Sequence, residues 1–181
     1  TVTKNEATAG SLIINELQAA NIDMFVDPSF NYGSWIELYN PTSQSITLQG
    51  LYISNDASNL KQHKLDYRMG SVPANGFKVI WFDHYSKYAP TQIDSKLDYD
   101  GGAIYISNEK GEVLAFQSYP EAVTRTSYAR QTDGGSAWGV TATPTPGKSN
   151  NGSTFTYARL DAPVVDTDAC PFTSPFTVTD D

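Results

Sequence analysis

Apolar and polar residues alternate in short runs separated by turn residues, and this pattern predicts strands. Leu12, Ile13, Ile14 and Leu17 predict a strand near 11–17. The stretch 21–33 is rich in Asp, Asn, Pro and Gly and reads as a loop. Ser34-Trp35-Ile36-Glu37-Leu38-Tyr39 alternates with period two and is stopped by Asn40-Pro41. Ile46 and Leu48, then Leu51-Tyr52-Ile53, give two more strands with Gly50 as a bend or bulge between them. A weaker strand fits 60–66, and Val72 to Gly76 reads as a turn. Phe77 to Phe82 is a strong strand; Phe77, Val79 and Trp81 share one face, which predicts Trp81 in the core. Residues 83–100 form a long polar and aromatic connection. Ala103 to Ser107 and Glu112 to Phe116 flank Asn108-Glu109-Lys110-Gly111, a hairpin signal. Strands also fit 126–131 and 137–141.

No window carries apolar residues at helical spacing over three turns, so no long amphipathic helix is expected. Eight or nine short strands with turns between them predict an all-β sandwich or barrel. Residues 1–10 are a polar leader, 11–150 the folded unit, and 151–181 a linker with the start of a following β-module. Asn151-Gly152-Ser153 is formally a glycosylation sequon. Pro144 to Gly147 reads as a stiff exit from the last strand, because proline fixes φ.

The chain has 181 residues, enough for one domain and a fragment of another. Twelve Lys and Arg against twenty Asp and Glu give a formal charge of −8. That balance argues against nucleic acid, whose binding rests on neutralising phosphates, and against docking on anionic lipid. No run of 18 apolar residues predicts membrane insertion. Cys170 is the one cysteine, so no internal disulfide or cysteine-based metal site is expected. The chain opens without Met and reads as a processed fragment, from which an export signal would have been removed.

Three ordered stretches resemble the lamin-tail domain family. They are Ile13-Ile14-Asn15-Glu16-Leu17; Trp35 to Pro41 followed by Ile46 to Asn55; and Ser127-Tyr128-Ala129-Arg130 with Asp133-Gly134, Trp138 and Pro144 to Asn150. The resemblance covers roughly 11–150 and implies an immunoglobulin-like β-sandwich. In bacterial members of that family the domain is an accessory unit of exported, multi-domain proteins. The resemblance therefore implies an extracellular or cell-surface location and neighbouring domains of the same chain as partners. Ala162 to Thr179 looks like the first strands of a small appended β-module. The long segments 18–33 and 83–100 depart from the family pattern.

Candidate chemistry is sparse. Nucleophilic catalysis needs a nucleophile, a base and an orienting group, and only two histidines, His63 and His84, are present. No nucleophile elbow occurs and no cofactor motif is found, so no cofactor is expected. Asp94, Asp98 and Asp100 precede two glycines and are the candidate metal ligands, but their spacing is not that of an EF-hand and a solvated turn is the simpler reading. Glu37 sits in an apolar strand and needs a partner if buried; Arg130 is the candidate for a structural pair. His84, Tyr85 and Tyr88, with Tyr32, are candidate ligand-binding residues, since aromatics on loops stack on sugar rings or anchor protein partners. These readings point to a non-catalytic accessory domain that spaces its neighbours or binds a polysaccharide or protein. The alternatives are self-association through edge strands or tail exchange, and a hydrolase fragment using paired carboxylates.

Overall fold

The computed structural model describes residues 5–84 and 91–156. Cys170, Tyr85, Tyr88 and the segment expected to begin a following module lie outside the described residues. Among the described residues twelve strands run in chain order: β1 (Ile13–Gln18), β2 (Ser34–Tyr39), β3 (Ile46–Thr47), β4 (Tyr52–Ser54), β5 (His63–Lys64), β6 (Ser71–Val72), β7 (Phe77–Phe82), β8 (Gln92–Ile93), β9 (Gly102–Ser107), β10 (Val113–Tyr119), β11 (Ser127–Arg130) and β12 (Trp138–Thr141). Among the described residues one 3-10 turn, Tyr67–Met69, joins β5 to β6. Four of the strands have only two residues. The sequence marks β3 and β5 through the stretches at 46–48 and 60–66, but not β6, which opens what reads as a turn, or β8, which lies in the long connection 83–100.

A six-stranded sheet, β12-β11-β1-β2-β7-β8, faces a four-stranded sheet, β10-β9-β4-β5, and β3 pairs with β6 in a small third sheet. The core between the layers is aliphatic. Ile36 and Leu38 from β2, Ile80 from β7, Ile53 from β4 and Ile104 and Ile106 from β9 are all fully buried there. This is an immunoglobulin-like β-sandwich. The hairpin between β9 and β10 turns as the sequence predicts: Asn108 Oδ1 accepts the main-chain N–H groups of Lys110 and Glu112, both at 3.0 Å, and Gly111 takes φ 81°.

One irregularity sets the orientation of the first strand. Ile14 lies opposite Leu38, but the register then shifts, so that Glu16 lies opposite Glu37 and Leu17 opposite Ile36. Strict alternation would place Ile14 and Glu16 on the same face. The bulge at Asn15 sends Leu17 into the core and turns Glu16 to the other face of the sheet.

That outer face carries Trp35, Glu37 and Tyr39 from β2, and β7 follows its register, with Trp81 opposite Trp35 and Ile80 opposite Ile36. The expectation that Trp81 lies in the core with Phe77 and Val79 is therefore corrected: Ile80 and Phe82 point inward. Trp81 is half-buried and meets the Trp35 ring edge-on at 6.4 Å. Both faces of β7 are apolar, so its own pattern could not choose between them; pairing with Ile36 and Leu38 decided.

The face assignment predicts unequal truncation costs. Ile80→Ala should cost ~3 kcal/mol and Val79→Ala ~1 kcal/mol in denaturant unfolding. The reverse order would show that β7 is turned over.

Candidate functional site

The end of the sandwich beyond β2 and β7 is built by the loop 21–33. Asn21 organises its first half: Nδ2 donates to the carbonyls of Phe25 (2.6 Å) and Gly33 (2.8 Å), and Oδ1 accepts the N–H of Phe25 at 3.1 Å. Phe25 then packs edge-on against Trp35, 6.0 Å between ring centres. Asp27 organises the second half by accepting the N–H groups of Ser29 and Asn31 at 2.7 and 3.0 Å. Ser29 Oγ donates to Gln92 Oε1 at 2.7 Å, and Asn31 Nδ2 donates to Asp83 Oδ2 at 3.1 Å, which fixes the loop to β7 and β8.

Between this loop and the segment after β8 lies a cleft of about 260 Å³, bordered by Tyr32, Asp83, His84, Lys96 and Tyr99. Tyr32 and Tyr99 remain 49% and 43% exposed. Lys96 Nζ lies 4.6 Å from the centre of the Tyr99 ring. Of the residues expected to bind a ligand, Tyr32 and His84 both border this cleft. Tyr99 and Lys96 were not anticipated. Each is an ordinary loop residue in sequence, and only the packing of the 94–100 segment beside β7 brings it to the rim.

The three candidate metal ligands separate. Asp94 Oδ1 lies 3.2 Å from His84 Nδ1 in an exposed pair, and the N–H of Asp98 donates to Tyr119 Oη at 3.2 Å. Asp100 sits in the exposed turn before β9. Among the described residues no group of three or more His, Cys, Asp or Glu could hold a metal ion.

Glu37 and Arg130 do not pair, which corrects the expectation from sequence. Glu37 faces outward from the sheet, where Oε1 accepts from Asn15 Nδ2 (3.0 Å) and Oε2 from the N–H of Gly147 (2.7 Å). Arg130 lies on the core-side face, where Nε donates to the Ile14 carbonyl at 2.9 Å and another nitrogen donates to the Gly135 carbonyl. Its guanidinium sits 4.8 Å from the Trp138 ring centre. Opposite faces of one sheet separate the two side chains; main-chain carbonyls satisfy Arg130, and the Asn15 amide with the Gly147 N–H satisfies Glu37.

Glu37 belongs to a buried polar layer between the sheet and residues 142–151. Glu16, its cross-strand neighbour, accepts from Ser127 Oγ and from the N–H (3.1 Å) and Oγ1 (2.9 Å) of Thr145. Asp133 accepts from Asn15 Nδ2, from Ser149 Oγ and from the N–H of Asn150. Asn150 Nδ2 donates to the carbonyls of Asn15 (3.1 Å) and Arg130 (3.0 Å). Burial raises the Glu16 carboxyl above its usual value. Burial, with the negative charges of Glu16 and Asp133, pushes Glu37 up to about 8 against the opposing hydrogen bonds of Asn15 and Gly147. All three carboxyl groups are spent on donors of the chain itself. Their work is to fasten the closing segment to the sheet.

This layer predicts a pH dependence. Below about 8 the folded chain keeps a proton on Glu37 that the unfolded chain, with an ordinary carboxyl, releases. Stability therefore falls as pH rises through that window. Burial lowers the His63 pKa below 6.5, so His63 destabilises the fold only at more acidic pH. Between pH ~6.5 and pH ~8.5 the unfolding free energy should drop by ~2 kcal/mol, and Glu37→Gln should flatten that slope whatever it does to the absolute stability. An equal slope in the variant would assign the titration elsewhere.

No helix among the described residues is long and apolar enough to cross a membrane. No curated protein matches the chain. The family model described as Lamin Tail Domain matches residues 5–121, which takes in β1 to β10 and stops short of the two strands and closing segment that the polar layer ties down. On that match, over more than half its length, the chain belongs to the lamin tail domain family, a family of immunoglobulin-like, non-catalytic domains.

Proposed function

We propose that this domain is a non-catalytic accessory unit of an exported or cell-surface multi-domain protein, and that it binds a polysaccharide in the cleft at the end of the six-stranded sheet. The observation that carries the reading is the pair of part-exposed rings, Tyr32 and Tyr99, on a cleft that also offers Asp83, His84 and Lys96. Tyrosine rings stack on the apolar faces of sugars, and charged and amide groups beside them bind hydroxyls. The base of the cleft is held in place, since Asn21 ties the two ends of loop 21–33 together through the Gly33 carbonyl and Asn31 fixes the loop to Asp83 beside β7, and a preorganised site loses less entropy on binding. The hydrolase alternative needs two carboxylates in an open groove. Glu16 and Glu37 lie opposite one another but are fully buried and occupied by donors of the chain.

Affinity electrophoresis of the domain against a panel of soluble polysaccharides tests this. At least one glycan should retard it, and Tyr32→Ala with Tyr99→Ala should weaken that binding at least ~tenfold. Retardation by none of the panel sinks the glycan reading; retardation that the double variant keeps moves the site elsewhere.

A second reading, self-association, is favoured by one feature. β10 is the edge of the four-stranded sheet. It exposes Val113 and Phe116, with Phe116 packed on Tyr105, and contains neither lysine nor proline. Natural edges are blunted by such residues. Sedimentation over a dilution series should show a dimer that Phe116→Lys dissolves; a monomer at every concentration excludes this edge as an interface.

A further inference from the structure

The chain contains two Asn-Gly pairs, Asn75-Gly76 and Asn151-Gly152. An asparagine followed by glycine is able to cyclise, because the glycine nitrogen approaches the asparagine side chain with no Cβ in the way. Both asparagines are exposed. The fold treats the two pairs differently. At Gly76 the attacking nitrogen is occupied: its N–H donates to the Pro73 carbonyl at 3.1 Å. The space around it is closed as well, since a Cβ there would stand 2.8 Å from Pro73 Cγ. Asn75 is itself fixed at φ 50°, with its N–H on the Thr42 carbonyl at 3.0 Å.

Gly152 is open. Among the described residues its N–H donates to no acceptor, and no atom beyond its chain neighbours lies within 4 Å of where a Cβ would stand. The Asn151 side chain is anchored by its oxygen alone. Oδ1 accepts the N–H of Asp133 at 3.0 Å, and the main-chain N–H of Asn151 donates to Ser149 Oγ at 3.1 Å. Attack on the side-chain carbon puts negative charge on Oδ1, and a fixed N–H already aimed at that oxygen stabilises the charge. Among the described residues Nδ2 has no hydrogen-bond partner, so nothing holds the group that must leave.

We propose that Asn151 is a site of spontaneous deamidation, through a succinimide formed with Gly152, and that the product loosens the strap over the six-stranded sheet. The Gly152 nitrogen bonds to Asn151 Cγ, the Cγ–Nδ2 bond breaks, and ammonia leaves with the proton of the Gly152 N–H. Water then opens the ring. Cleavage of the new bond to Cγ gives aspartate at 151; cleavage at the main-chain carbonyl of residue 151 gives isoaspartate, in which the chain runs through Cβ. Both products put a carboxylate beside Asp133, whose own carboxylate accepts from Asn15, Ser149 and Asn150. Isoaspartate also lengthens the main chain next to Asn150, the fully buried residue that joins the strap to the Asn15 and Arg130 carbonyls. The site does not depend on what the end cleft binds.

Incubation of the full chain at mildly alkaline pH, followed by peptide mapping with isoaspartyl detection, is the experiment. In the folded chain Asn151 should convert at least ~fivefold faster than Asn75, since Gly76 must first give up a hydrogen bond. In denaturant, where only the shared Asn-Gly pair counts, the two rates should converge. The converted chain should melt ~3 °C below the fresh one. Asn151→Gln, whose longer side chain closes a ring far more slowly, should hold its Tm under the same treatment. Equal rates at the two sites in the folded chain, a faster Asn75, or no conversion at 151 overturns the site. Conversion at 151 with an unchanged Tm overturns its effect on the strap.

Discussion

Glu37 lies in the middle of a central strand, fully buried, with another glutamate directly across from it. A carboxylate in that position without partners would cost several kcal/mol, more than most single interactions return. The chain meets this by laying residues 142–151 over the sheet so that Gly147, Thr145 and Asn150 present their N–H groups to Glu37, Glu16 and Asp133. The dependence is mutual. The closing segment has little apolar mass to hold it, and the acids have no other donors of that number. Asn15 links the two sides, since its side-chain Nδ2 donates to both Glu37 and Asp133 while its Oδ1 accepts from the N–H of Gly134.

The bulge that places Asn15 also makes this layer possible. Without the shift between Ile14 and Glu16, Glu16 would enter an aliphatic core and Leu17 would leave it. The six-stranded sheet is thus buried on both faces, one against aliphatic side chains and one against the chain's own polar strap and the aromatic group of Phe25, Trp35 and Trp81. Arg130, released from any need to neutralise Glu37, uses its planar donors on two carbonyls and its face on Trp138 at the open side of the sandwich.

The same device recurs at the end of the molecule. Asn21, Asp27 and Asn40 each gather main-chain groups of a loop around one short polar side chain. Loops held this way keep a fixed shape without a core of their own. A cleft bordered by Tyr32 and Tyr99 can then stand on a fixed wall.

Much of this was legible along the chain. Alternation in 34–39, the Asn108 to Gly111 turn and the spacing of short apolar runs determine a β-sandwich, because a strand with one buried face writes period two into its sequence. The segment Pro144 to Gly147 stood out, although it reads as an exit and proves to be part of a strap. Three things belonged to the tertiary structure alone. The faces of β7 are both apolar, so only its register with β2 buried Ile80 and left Trp81 outside. Glu37 and Arg130 are complementary in charge, yet they stand on opposite faces, and pairing by charge cannot see faces. Asn31 and Asp83 are 52 residues apart in number and meet only because a loop folds back over a strand end. Periodicity is a local property and the sequence carries it; contact between distant polar groups depends on register, bulges and loop closure, which the packed chain decides.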